Sequence, residues 1–171
     1  MSESLDKQNS DFLIAIYQNI QTSIQSINNI LDKVKDSKLK RELKSQYKDY
    51  DRLQDTCEDL AKVFEIDIHD NSFFIKAKMW IQVNMAILMD KSNRKIASIM
   101  IIGSTMGIID LICAISDSEL CRKEFMELAT ELLDLEKRNV ENLKPYLLRE
   151  NNKLKEESER KKEEIKSKTK K

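Results

Sequence analysis

Glycine and proline are nearly missing from this chain, which has two of the first and one of the second in 171 residues. β architectures spend those residues on turns and flexible linkers are rich in them, so neither is the main organisation. Histidine occurs once, as His69, which removes His-rich metal sites and most imidazole-based catalytic constellations. The cysteines, Cys57, Cys113 and Cys121, are odd in number and show no C-x-x-C spacing. They read as free thiols packed as small apolar residues in a reducing compartment. Missing too are a glycine-rich phosphate loop, a nucleophile elbow and a paired Cys/His motif. The opening Met1-Ser2-Glu3-Ser4-Leu5-Asp6 is acidic and polar, unlike the basic and apolar run of a secretory signal. The expected location is cytoplasmic.

What is present is charge and helical periodicity. The length suits one domain with a tail. Thirty basic and thirty acidic side chains cancel, yet residues 149–171 hold ten basic and six acidic groups. The body is therefore acidic and the tail basic, which argues against a nucleic-acid-binding core surface. The division expected is a helical bundle domain over 1–148 and a charged tail, partly disordered or a solvated helix, over 149–171. Its Lys-rich end is not expected to contact nucleic acid or anionic lipid specifically.

Apolar residues at Leu13, Ile16, Ile20, Ile24, Ile27, Leu31 and Val34 fall three and four apart, which predicts a helix with one buried stripe. Its other face, with Asn19, Thr22, Gln25, Ser26 and Asn29, is polar but uncharged. Asp36-Ser37 is a turn and N-cap candidate. A second helix follows through Leu39, Leu43, Tyr47, Tyr50, Leu53, Cys57, Leu60 and Phe64, antiparallel to the first because the connection is short. A polar break over 65–72 leads to a shorter third helix over about 73–89, carrying Phe73, Phe74, Trp80 and Ile87. A fourth spans about 94–115. Ser116 and Glu119 form a capping box expected to open a fifth, whose heptad-like stripe runs Cys121, Phe125, Leu128, Leu132, Leu135, Leu143, Tyr146. Pro145 is expected to kink or end it.

Two helical hairpins joined by a crossover describe an all-α, ferritin-like four-helix bundle with a short crossover helix and a charged C-terminal helical tail. The metal chemistry of that architecture does not follow. A di-iron site needs inward carboxylates and Glu-x-x-His pairs, yet residues 12–31 and 91–109 contain no Asp or Glu and no Glu-x-x-His exists. No metal and no cofactor are expected.

Residues 96–115 hold twenty positions with one charge, Asp110. They are long enough to cross a bilayer, and Gly103 and Gly107 form a G-x-x-x-G pair of the kind that brings helices close. The charged Asp110 and the unsatisfied stripes of the other helices favour a buried bundle helix instead. The two glycines are then helix-packing positions. Asp110, with Tyr47 and Tyr50 as candidate partners, is the candidate buried polar site. Because the fourth helix is apolar nearly all round, the third helix or a second subunit is expected to cover its outer face.

The function expected is a non-catalytic structural or protein-interaction module, a homo-oligomer or bound to a protein partner through the 73–89 and 94–115 helices. Two alternatives stay open: a single-pass membrane protein spanning at 96–115, and a ligand-binding or enzymatic bundle using Asp110 and the core tyrosines.

Overall fold

The computed structural model describes residues 2–68, 92–118 and 120–168, with side chains over 5–68, 92–118, 120–148 and at 160. The described residues form four helices and no strand: α1 (Ser2–Leu31), α2 (Ser37–Val63), α3 (Asn93–Ser116) and α4 (Lys123–Lys168). The expected third helix over 73–89 lies outside them, as does His69.

Each helix is set by a buried stripe at helical spacing. Leu13, Ile16, Ile20 and Ile27 of α1 face Leu39, Leu43, Leu53 and Cys57 of α2 and Phe125, Leu132 and Leu143 of α4, all fully buried. Burying one such Leu or Ile contributes about 1.5–3 kcal/mol, so these stripes dominate over local propensity. The Asp36 carboxylate caps α2, accepting from Lys38 N and Leu39 N at 2.8 Å each. Helix α2 ends without glycine. Ile66 N reaches Ala61 O at 2.9 Å and Glu65 N reaches Lys62 O at 3.4 Å, a Schellman closure that puts Glu65 at φ 55°.

Long-range contacts fix the directions. Asn19–Gly107 and Gln8–Asp117 pair α1 antiparallel to α3, while Arg52–Glu131, Arg138–Asp49 and Asn142–Glu42 pair α2 antiparallel to α4. Helix α1 also packs on α2, and α3 on α4. The bundle is thus up, down, down, up around a square, with α1 and α4 on one diagonal and α2 and α3 on the other. The ends of α2 and α4 are pinned together by an edge-on Phe64–Phe125 ring pair 5.2 Å apart and by the Arg122 guanidinium 4.3 Å over Phe64.

Three boundaries differ from the sequence expectation, each for a tertiary reason. Helix α1 begins at Ser2, well before Leu13, and stops at Leu31 with Val34 buried beyond it. Its first turns are held by Gln8 Nε2 donating to Asp117 O at 2.8 Å. Ser116, expected to cap α4, is instead the last residue of α3, and its capping-box partner Glu119 lies outside the described residues. Asp117 N and Ser118 N still bond back to Cys113 O and Ile115 O, and the chain turns before Lys123. There Asn9, buried on α1, accepts from Arg122 N at 2.8 Å and donates to Leu5 O at 2.8 Å. A side chain from another helix does the capping. Finally, α4 runs through Pro145 to Lys168. Pro145 and Glu141 are both exposed, so the Glu141 carbonyl that proline leaves unbonded faces water.

Candidate functional site

Halfway along the bundle the apolar stripes are interrupted. Glu136 of α4 is completely buried, and Asn139, one turn on, is 1% exposed. All four helices contribute to the layer around them. From α1, Ser23 Oγ donates to Glu136 Oε1 at 3.1 Å. From α2, Tyr50 presents its hydroxyl, which accepts from Asn139 Nδ2 at 3.0 Å, leaving its own hydrogen to give. From α3, the Ser104 hydroxyl faces the same carboxyl group. Asn19 of α1 donates through Nδ2 to Gly107 O of α3 at 3.0 Å.

Gly107 is what lets this layer close. A Cβ there would stand 3.1 Å from Asn19 Nδ2, 3.3 Å from Asn19 Oδ1 and 3.3 Å from Glu136 Oε1, tighter than ordinary packing. The helix-packing role expected for Gly107 thus has a specific content: it admits two polar side chains, not a facing backbone. Gly103 is half-buried.

Burial pushes the Glu136 carboxyl above the usual carboxylate range, while the hydroxyls of Ser104, Tyr50 and Ser23 oppose the rise. Burial, followed by the Glu136 charge, raises Tyr50 well above the ordinary tyrosine value. Two acceptors, Glu136 Oε2 and Asn19 Oδ1, have no hydrogen-bond partner among the described residues.

The sequence-based site residues are placed differently. Asp110 is exposed on the outer side of α3, because its position lies on the solvent stripe. Tyr47 is half-buried against the core. Only Tyr50 belongs to the buried layer, and the acid beside it is Glu136, which the sequence reading passed over. Its signal was a gap: the α4 stripe runs from Leu135 to Leu143 with Asn139 at the intervening apolar position. The uncharged face of α1 was the matching signal, since Asn19 sits on it.

The second feature is the outer surface of α3. Ile102, Met106, Ile109 and Ile112 are 49%, 45%, 55% and 51% exposed. Ile102, Met106, Ile109 and Cys113 recur four, three and four residues apart, which lines them along one stripe. The helix is long and apolar enough to cross a membrane, with mean hydropathy 2.0 and one third of its apolar window buried. Its inner side packs on α1 and α4 through Ile96, Ala97, Met100, Ser104 and Leu111. Among the described residues no group of three or more His, Cys, Asp or Glu side chains is placed to hold a metal ion. An open groove of about 330 Å³ between the start of α1 and the end of α3, lined by Lys7, Phe12 and Ala114 among others, is separate from the Glu136 layer.

No family model, curated protein or solved structure matches this chain.

Proposed function

We propose that this chain is a non-catalytic, ferritin-like bundle that acts as a structural module by pairing with a second copy of itself through the outer face of α3. The observation that carries the reading is the exposed stripe of Ile102, Met106, Ile109 and Ile112. A soluble chain seldom leaves a contiguous apolar face of that kind to water. What supports the ferritin-like reading is the up, down, down, up order of the four helices, with the parallel helices α2 and α3 far apart in sequence, as a bundle with one crossover connection requires.

The charge pattern selects the occupant. The stripe carries basic Arg94 and Lys95 at its N-terminal end and acidic Asp110 and Asp117 towards its C-terminal end. An antiparallel two-fold pairing centred between Thr105 and Met106 sets Ile102 against Ile109 of the partner subunit. The same pairing sets Arg94 against Asp117 of the partner subunit. Such an isologous contact closes after two copies. It also opposes the two helix dipoles favourably.

Light scattering on the untagged chain, purified without detergent, tests this. The expected result is a particle of twice the 20.0 kDa chain mass, reduced to one chain by Ile109→Glu with the helical circular dichroism unchanged. A soluble monomer at micromolar concentration overturns the reading, leaving the face to be covered by the chain's own residues. Release from membranes only by detergent overturns it in favour of a bilayer.

A further inference from the structure

Two buried acceptors in the mid-bundle layer have no hydrogen-bond partner among the described residues. Glu136 Oε2 and Asn19 Oδ1 are both unpartnered, and their side chains meet at one place. The position a Cβ would take on Gly107 is 3.3 Å from Asn19 Oδ1 and 3.3 Å from Glu136 Oε1. The Asn19 amide is oriented by its own bond, since Nδ2 donates to Gly107 O at 3.0 Å. Turning it over would set Oδ1 against that carbonyl, acceptor against acceptor.

A carboxylate in this place would bring a full charge and find no counter-charge. Among the described residues, the groups that face Glu136 are Asn19 and Ser23 on α1, Tyr50 on α2, and Ser104 and Gly107 on α3. Of these only Tyr50 titrates, and none is cationic. A buried charge without a counter-charge is costly, and the hydroxyls of Ser23, Ser104 and Tyr50 offset that cost only in part. A single proton changes the account, because it removes the charge and turns one of the two orphan acceptors into a donor.

We propose that Glu136 and Asn19 form a proton-binding site, in which Glu136 is held as the carboxylic acid where an exposed glutamate has already ionised, its Oε2 hydrogen given to Asn19 Oδ1, and that the seating of α3 depends on that proton. The layer touches α3 at Ser104 and Gly107, on the inner side of the helix whose outer side is apolar. The proposal does not depend on self-association. Its direction follows from linkage. Burial raises the folded-state pKa of Glu136 above its unfolded value, so the folded chain binds more protons within that window. The stabilisation is complete below the unfolded carboxyl range and is lost as pH rises through the folded pKa. Alkalinity, not acid, loosens α3.

Urea unfolding of the full chain from about pH 5 to about pH 9, compared with Glu136→Gln, tests this. One proton changes the folding constant by at most about tenfold per pH unit. The wild type is expected to lose stability relative to the variant with a slope up to that limit. The variant, whose amide copies the neutral acid, should be the more stable of the two at the alkaline end. Parallel curves, or a variant that is the weaker at high pH, overturn the proposal. Should the variant fail to fold, carbon NMR of the wild-type glutamate carboxyls decides. A carboxyl still protonated at about pH 7 supports the site, and full ionisation by about pH 6 overturns it, leaving a charged Glu136 bridged by water. Hydrogen exchange over residues 93–116, corrected for the intrinsic rate, should rise with pH in the wild type. No rise overturns the link to α3.

Discussion

Ser23 on α1 donates its hydroxyl to Glu136 Oε1 on α4 across 3.1 Å, joining two helices that stand on a diagonal of the bundle. Diagonal helices meet only where the side chains between them are small or reach across. Here Ser23 is short, Gly107 beside it has no side chain, and Glu136 supplies the reach. An apolar layer of Leu and Ile would bury as well. A polar layer adds direction, because Ser23, Asn19, Tyr50 and Asn139 make their bonds in one register of the four helices and lose them in any other.

The first prediction concerns Gly107. Alanine gains about 1 kcal/mol of helix propensity over glycine, yet its Cβ would stand 3.1 Å from Asn19 Nδ2. Displacing that amide forfeits a hydrogen bond worth about 1 kcal/mol and crowds the carboxyl beyond it. Gly107→Ala is therefore expected to lower stability by about 1 kcal/mol in urea unfolding. Made in an Asn19→Ala background, the same change should be stabilising. A Gly107→Ala variant more stable than wild type in the intact background would contradict the role assigned to this glycine.

A second prediction lies at the α2 terminus. Glu65 holds φ 55°, a left-handed conformation that a side chain resists and glycine adopts freely. Glu65 is exposed, so no packing is lost on its removal. Glu65→Gly is expected to raise stability by about 0.5–1 kcal/mol, reduced slightly by the added freedom of the unfolded chain. Thermal or urea unfolding checks it, and an unchanged or lowered midpoint would show that the turn is unstrained.

These two sites illustrate what the sequence could and could not disclose. Stripes such as Leu39, Leu43, Tyr50, Leu53 and Cys57 carry their own period, so α1, α2 and α4 and their inner faces were readable. Asp36 caps the residues beside it, and that too is local. By contrast, Asn9 caps α4 from α1, and no reading of residues 116–122 contains that fact. Glu136 was hidden for a related reason. Glutamate in a charged helix reads as solvent-facing, and only the approach of Ser23, Tyr50 and Ser104 from three other helices makes it an interior group. Asp110 misled by the opposite route, since its apolar neighbours Ile109 and Ile112 are themselves exposed.

The thiols should report the surface of α3. Burial, with the neighbouring Glu58 charge, pushes Cys57 up to about 12, and its side chain is fully enclosed. Cys113 is exposed on the α3 stripe and Cys121 is half-buried. With a thiol reagent at about pH 8, Cys57 is expected to stay unreacted until the chain unfolds. Cys113 should react first, and faster in the Ile109→Glu variant than in the wild type at the same concentration. Equal rates for the two would count against pairing through this face.

Tyrosine ionisation gives the last prediction. Burial and then Glu58, which accepts from Tyr17 Oη at 3.4 Å, push Tyr17 up to about 12. Tyr50 lies well above the usual tyrosine value. Because both folded-state values exceed the unfolded one, the folded chain holds the extra protons. The tyrosines' contribution to stability is constant below about pH 10 and is lost as pH rises through the shifted values. In an absorbance titration Tyr50 is expected to ionise only together with loss of helical circular dichroism, not before it. Tyr50→Phe should weaken the alkaline dependence while costing about 1–3 kcal/mol at neutral pH, because Asn139 Nδ2 then loses the acceptor it reaches at 3.0 Å. Ionisation of all four tyrosines with the fold intact would mean that the Glu136 layer is open to hydroxide, and its enclosure by the four helices would have to be abandoned.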